Sequence, residues 1–156
     1  MRFSLTLAVG LLVATLAVAQ GAQSAADDQE LTPGSAHLIS PEDLLKLLQS
    51  SGEKPLVLNV GPAVMYMQAR IPGAEYMGAA SSPQGLEKLR RRAKPLPHDK
   101  PIVLYCGCCP WSHCPNVRPA YNQLHKMGFS NVKVLYIADN FGADWVDKGY
   151  PTVRGQ

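Results

Sequence analysis

The pattern of apolar positions predicts a buried parallel sheet. Three short segments, 56–60, 102–105 and 132–137, are almost continuously apolar, and Pro55 and Pro101 precede the first two. A half-exposed strand alternates apolar and polar residues, whereas a strand covered on both faces is apolar throughout. We therefore predict these segments as the central strands of a sheet that has helices on both sides.

The segments between these strands carry the spacing of amphipathic helices. Leucines recur at helical spacing within 44–48, after a start signal formed by Ser40 and Pro41, and Gly52 ends the run. Further helices are predicted in three segments: 84–93, 116–127 and 144–148. Strands that alternate with helices predict an α/β domain with right-handed crossovers.

The first 19 residues have the features of a secretory signal peptide. Arg2 precedes an uncharged apolar stretch, 3–18, and the small-residue pattern 17–19 predicts cleavage after Ala19. The apolar stretch is short for a membrane-spanning helix, and no second one follows. We expect an exported protein, periplasmic or secreted, that has no membrane attachment once the signal peptide is removed.

The remainder of the chain is predicted to be a short leader and one domain. Residues 20–33 are polar and aperiodic, which predicts a disordered leader, and 34–156 has the size of a single domain. Removal of the signal peptide takes away one of 15 basic residues and none of the 12 acidic ones, which leaves a net charge of +2. So small a net positive charge predicts no nucleic-acid partner. The basic run 90–92 is interpreted as a solvated helix face.

Cys106 directly follows the apolar segment 102–105, at the carboxyl end of a predicted parallel strand, where ligands bind in such sheets. The loop after it leads toward a helix. Backbone N–H groups curled around the sulfur, together with the helix dipole, would lower the pKa of the thiol and stabilise a thiolate or a persulfide. Cys106 is therefore the predicted nucleophile, and its anion-binding loop is predicted to be Gly107, Cys108, Cys109, Pro110, Trp111 and Ser112.

In their order along the chain, these motifs resemble the rhodanese-like domains. The similar segments are 38–44 and 57–60 for the first two strands, 70–74 for the "HIPGA" signature, 103–106 for the strand that delivers the catalytic cysteine, and 128–132, Trp145 and 149–151 for the closing segment. The resemblance implies a three-layer fold around a parallel sheet, with no cofactor. It also implies that Cys106 takes a sulfane sulfur from a donor such as thiosulfate, holds it as a persulfide and passes it to a thiophilic acceptor. Donor and acceptor would be small molecules.

The sequence departs from the family pattern at several positions, one of which would bind an anionic donor. Family members often have Asp and Arg where this chain has Asn59 and Gly61, and many carry a loop cation near the place of Trp111. Loss of that cation would weaken the binding of thiosulfate, and Arg70 or Arg118 are the candidates to replace it. Ser112, six residues beyond Cys106, replaces the arginine that a cysteine-dependent phosphatase needs, which argues against that activity.

All four cysteines lie within the nine residues from Cys106 to Cys114. In an oxidising compartment one or two disulfides are expected, with Cys108 or Cys109 bonded to Cys114 as the better pairs, and a remaining thiol can resolve a persulfide on Cys106. Thiol–disulfide exchange is a further alternative, although the flanking segments do not follow a thioredoxin pattern. Soft-metal binding with His113 is another, but four ligands in nine residues make a closed tetrahedron hard to build, and we assign no metal.

The other imidazole and indole side chains are predicted to be structural. His37, His98 and His125 are far apart in sequence, and we interpret each as a surface or hydrogen-bonded residue. Trp145 is predicted to cover the sheet, and Trp111 either shields the cysteine from water or packs the loop.

Overall fold

Five parallel strands form the central sheet. In the computed structural model, which describes residues 37–155, the sheet has the order β1-β5-β4-β2-β3, so that β4 lies at its centre. Each neighbouring pair of strands is parallel. The strands are β1 (Leu38–Ile39), β2 (Leu56–Asn59), β3 (Glu75–Tyr76), β4 (Ile102–Tyr105) and β5 (Val132–Leu135). The three apolar segments predicted as central strands are β2, β4 and β5.

Helices cover both faces of this sheet, which explains why its central strands are apolar throughout. The helices are α1 (Pro41–Gln49), α2 (Ala63–Gln68), α3 (Pro83–Ala93) and α4 (Val117–Lys126), with a 3₁₀ turn at Trp111–His113 and a π-helical turn at Gly142–Val146. On one face, α3 and α4 form a core with alternate strand residues such as Leu104. On the other face, α1 and the π-helical turn pack over Val103 and Tyr105. The predicted α/β fold with three layers is confirmed.

Local signals account for the ends of the helices. The Ser40 side chain accepts a hydrogen bond from the Asp43 N–H at the start of α1, and Ser82 accepts one from Gly85 at the start of α3. Gly128 follows α4 with a φ of +89°, which favours glycine. The helices predicted at 84–93 and 116–127 are present within two residues, and the predicted 144–148 helix is the π-helical turn. The sequence pattern did not reveal α2, the shortest of the four α-helices.

One indole and two imidazole side chains that were predicted to be structural make the contacts expected of that role. Trp145 is fully buried, and its Nε1–H donates a hydrogen bond to the Pro151 carbonyl at 2.9 Å. His37 and His125, distant in sequence, both pack against Tyr121, whose Oη lies 2.7 Å from His125 Nε2. These contacts support the structural interpretation of both histidines.

The predicted signal peptide, 1–19, and leader, 20–33, lie outside the described residues. Within 37–155, no helix is long and apolar enough to cross a membrane.

The basic run at the end of α3 is bound to carboxylates rather than uniformly solvated. Arg90 pairs with Glu87 on the same helix, with Nε and Oε2 2.9 Å apart. Arg92 forms a two-bond ion pair with Glu75 on β3, at 2.6 Å and 2.8 Å. This pair ties the carboxyl end of α3 to the edge strand.

Replacing Arg92 with methionine should lower the free energy of unfolding by at most about 1 kcal/mol at neutral pH, because the ion pair is partly exposed and screened by water. Hydrogen bonding to Arg92 lowers the pKa of Glu75 from its usual 4.5. The stabilisation is therefore present above pH 4.5 and is lost as the pH falls through the folded-state pKa of Glu75. Urea unfolding at several pH values should show that the difference in the free energy of unfolding between variant and wild type shrinks as the pH falls through that window.

The control for this test is Arg91→Met, since Arg91 is 71% exposed on the same helix. It should change stability little at any pH. If the loss of stability in Arg92→Met did not vary with pH, the Arg92–Glu75 ion pair would not be its source.

Candidate active site

Cys106 lies at the end of the central strand, and its side chain is buried. The pairing of β2 and β4 continues one residue past β2, because the Val60 N–H donates to the Tyr105 carbonyl at 2.9 Å. Gly107 then turns the chain with a φ of +89°, a conformation that few residues other than glycine adopt. The sheet thus holds Cys106 rigidly, and the loop leaves it abruptly.

Two residues at the end of β2 fix the backbone of Cys106. Asn59 is buried, and its Nδ2 donates to the Cys106 carbonyl at 3.3 Å while its Oδ1 accepts from the Gly61 N–H at 3.1 Å. A Cβ atom at Gly61 would lie 2.6 Å from the Cys106 oxygen and 2.9 Å from its Sγ. A side chain at position 61 would therefore force the Cys106 backbone to shift, which favours glycine in this chain.

The loop after Cys106 folds back on itself. The Phe141 N–H donates to the Gly107 carbonyl at 3.0 Å, and the Trp111 N–H donates to the Ile137 carbonyl at 2.9 Å. Trp111 is buried, so that it packs the loop against the segment that follows β5. The short turn at Trp111–His113 then returns the chain to the sheet, and Cys114 comes back to the neighbourhood of Cys106.

Three of the four sulfur atoms meet as a result. The Sγ atoms of Cys106, Cys108 and Cys114 all lie within 4.8 Å of one another, and Cys106 and Cys108 are 3.2 Å apart. Cys109 is outside this group but lies 3.2 Å from Cys108, and all four residues are free thiols in this structure. Asn116 adds a polar contact, because its Nδ2 donates to Cys106 Sγ at 3.3 Å.

The thiols of Cys106 and Cys114 are hydrogen-bonded to each other, and this contact shifts both pKa values. Hydrogen bonding from Cys106 lowers the pKa of Cys114 to about 6, and the N–H groups of Asn116 and Val117 act in the same direction against the effect of burial. The interaction with Cys114, followed by burial, raises the pKa of Cys106. The expectation of a lowered pKa at Cys106 is therefore wrong for the reduced protein. The lowered pKa belongs to Cys114, which lies at the amino end of α4.

The loop amides are only partly available as the predicted anion-binding group. The Cys108 N–H donates to Cys106, as expected for such a group, whereas the Trp111 N–H is used to anchor the loop. Ser112 is exposed, and its Oγ lies 3.0 Å from His113 Nδ1.

Cys106 lines a cavity of about 260 Å³ beside the carboxyl ends of β2 and β4. None of the described residues that line it is Lys or Arg; they are Asn59, Met65, Gln68, Ala69, Tyr105, Cys106, Gly107, Asn140, Phe141, Gly142 and Val146. A second cavity of about 320 Å³ is lined by Cys114 and includes His113 and Arg118. The two cavities therefore differ in charge.

The two cations considered as replacements do not line the Cys106 cavity. Arg70 pairs with Val153 in an isolated bridge, donates to the Gly155 carbonyl and lies over the Tyr66 ring at 4.7 Å. Arg118 belongs to the cavity of Cys114.

The family model for the rhodanese-like domain matches residues 40–136. The protein belongs to the rhodanese-like domain family. A comparison with curated proteins found no match.

Solved structures resemble this rhodanese-like domain over most of its length. The Alr3790 protein from Anabaena sp. is 24% identical with a TM-score of 0.58, and the match covers 75% of this chain and 92% of that one. The single-domain sulfurtransferase RDL2 from Saccharomyces cerevisiae is 16% identical with a TM-score of 0.54, over 78% of this chain and all of the other. A cysteine-to-serine variant of EanB in complex with hercynine is 27% identical with a TM-score of 0.53, over 74% of this chain but 27% of that chain.

Sequence reasoning missed two residues of the site in this rhodanese-like domain. In the sequence, Gly61 stands out only as a departure from the family pattern. In the structure, its lack of a side chain is what lets the chain after β2 approach Cys106. Asn116 gave no signal beyond its position at the start of a predicted helix, and its contact with Cys106 depends on the return of the loop.

Gly61→Ala should lower the free energy of unfolding by about 1–3 kcal/mol, because the new methyl group overlaps the Cys106 backbone. Urea unfolding measures the change. Gly52→Ala is the matched control, since its added Cβ would find no atom nearer than Ser50 Oγ at 3.8 Å, and it should stay within about 0.5 kcal/mol of wild type. Equal effects of the two substitutions would refute the close-packing assignment.

Proposed function

We propose that this protein is a sulfurtransferase that carries a sulfane sulfur as a persulfide on Cys106. One observation supports the proposal most strongly: Cys106 ends the central strand and lines a cavity, in a chain that belongs to the rhodanese-like family. A cysteine fixed at the carboxyl end of a parallel strand is held where a substrate can approach it.

In the proposed reaction, the Cys106 thiolate attacks the sulfane sulfur of the donor. The new S–S bond forms as the old bond to that sulfur breaks, and the donor leaves with the electron pair, as sulfite when the donor is thiosulfate. An acceptor thiolate then attacks the outer sulfur of the persulfide and releases Cys106 as a thiolate.

Groups around Cys106 are suited to hold the persulfide anion. The Asn116 amide donates to the sulfur at 3.3 Å, and the Cys108 N–H donates to it as well. Cys108 can also resolve the persulfide, because its Sγ lies 3.2 Å from Cys106 Sγ. Its attack on the inner sulfur would expel hydrosulfide and leave a disulfide between the two residues.

We also propose that the protein acts outside the cytoplasm, on the strength of the signal peptide predicted at 1–19. In an oxidising compartment, disulfide formation within the loop would compete with persulfide formation for the Cys106 thiol.

Treatment of the reduced protein with thiosulfate should add one sulfur atom to Cys106. Intact mass with peptide mapping measures the addition, and Cys106→Ser should abolish it. A second variant, Ser51→Cys, places a new thiol on an exposed turn, and this thiol should gain no sulfur because nothing around it holds a persulfide. Absence of added sulfur on a reduced and accessible Cys106 would refute the proposal, as would equal loading of the exposed thiol.

Thiosulfate should load this protein weakly, because no described Lys or Arg lines the Cys106 cavity. Gln68 is exposed and lines that cavity, so Gln68→Lys should improve loading at low thiosulfate about fivefold, as expected for roughly 1 kcal/mol of attraction between unit charges in water. Added salt should erase the gain. The control is Gln84→Lys on α3, which adds the same charge on an exposed surface away from the cavity. Equal gains from both variants would show that only net charge matters.

A further inference from the structure

The sulfur atoms of Cys106, Cys108 and Cys114 form a compact group that the proposed sulfur transfer does not fully use. Sulfur transfer needs one nucleophile and at most one resolving thiol, yet three sulfurs lie within 4.8 Å of one another. Cys106 and Cys114 are buried, and Cys108 is half-buried. We propose that this three-sulfur cluster binds one soft monovalent metal ion, Cu(I), in the reduced protein.

The spacing of the sulfurs suits a three-coordinate ion. Metal–thiolate bonds of about 2.3 Å put the corners of a flat triangle of sulfurs about 4 Å apart. The Cys106 and Cys108 sulfurs are 3.2 Å apart, and no pair in the cluster exceeds 4.8 Å. Shifts of about 1 Å or less, within the reach of side-chain rotation, would close the triangle around an ion.

The loop brings these ligands together although they span only nine residues. Gly107 reverses the chain, the bond from the Trp111 N–H to the Ile137 carbonyl anchors the loop, and the 3₁₀ turn returns Cys114. Four ligands within nine residues make a closed tetrahedral site hard to build, but a flat three-coordinate site needs one ligand fewer. In the described part of the chain three sulfurs meet, and Cys109 does not join their group.

The chemistry of the donors selects the ion. The group contains thiolate sulfur alone, with no imidazole or carboxylate from the described residues. Zn²⁺ in structural sites takes four ligands, whereas soft thiolate donors favour Cu(I), which accepts three. His113 does not contribute, because it is exposed and its Nδ1 lies 3.0 Å from Ser112 Oγ.

Neighbouring donors would offset the negative charge of the loaded cluster. Three thiolates and one Cu(I) carry a charge of minus two. The Asn116 amide and the Cys108 N–H donate to Cys106, and the N–H groups of Asn116 and Val117 donate to Cys114 at the amino end of α4. Hydrogen bonds to metal ligands orient them and tune affinity, so Asn116 is a positioning residue of this site.

Cu(I) binding by the cluster does not depend on the proposed sulfur transfer, but the two functions would share Cys106. An ion bound to Cys106 occupies the electron pair that attacks the donor. Bound Cu(I) should therefore block sulfur loading, whereas a protein that never loads sulfur can still bind the ion.

The test is an anaerobic titration of the reduced protein with Cu(I) supplied as its coloured bicinchoninate complex. Wild type should withdraw one Cu(I) per chain, and Cys108→Ser or Cys114→Ser should weaken binding more than about tenfold. Cys109→Ser is the matched comparison, because its sulfur lies 3.2 Å from Cys108 and also interacts with Cys114 but is outside the group, and it should weaken binding far less than either ligand variant. Failure of wild type to withdraw Cu(I), or an equal loss in Cys109→Ser, would overturn the assignment.

X-ray absorption of the loaded wild-type protein gives a readout that does not depend on variants that fold poorly. Three sulfur neighbours at about 2.3 Å and no nitrogen or oxygen neighbour are expected. A nitrogen neighbour or only two sulfurs would contradict the proposed ligand set. Because no sulfur donor is present in either measurement, failure here and failure of persulfide formation are separate results.

Discussion

The contact between Gly61 and Cys106 is the constraint on which the site depends. The two residues follow paired strands, and the lack of a side chain at position 61 lets the Cys106 sulfur lie against the backbone after β2. Asn59 strengthens the contact by bonding to both backbones. The same closeness leaves little room for a side chain at position 61. This chain therefore holds its cysteine firmly, with glycine at a place where family members often have arginine.

Most of the fold could be predicted because its central elements carry strong local signals. β2, β4 and β5 are almost continuously apolar, and Ser40 with Pro41 marks a helix start that the structure contains. The edge strands could not be found from periodicity. β1 and β3 have two residues each, so that they are too short to show a period, and parallel pairing with a neighbour is what defines them. β1 was anticipated only through resemblance to the family.

The position of Cys106 could be predicted, but the arrangement around it could not. A cysteine after an apolar strand indicates a site by local sequence alone. The return of Cys114 depends on a bond between Trp111 and Ile137, which are 26 positions apart in the printed sequence and meet only because β5 lies beside β4. The lowered pKa follows the same logic. It falls on Cys114, because the fold brings this sulfur within hydrogen-bonding reach of Cys106 and of the N–H groups at the amino end of α4.

Gathering thiols has opposite effects on the two chemistries proposed for this loop. A nucleophile needs a free electron pair on Cys106, and each additional sulfur nearby offers a way to occupy that pair, through a hydrogen bond, a disulfide or a shared ion. A metal site gains from the same closeness, because each sulfur supplies a ligand. The two chemistries therefore exclude each other at any one moment, since both need the electron pair of Cys106. An ion held by the three sulfurs, which lie within 4.8 Å of one another, would leave Cys106 unable to attack a donor.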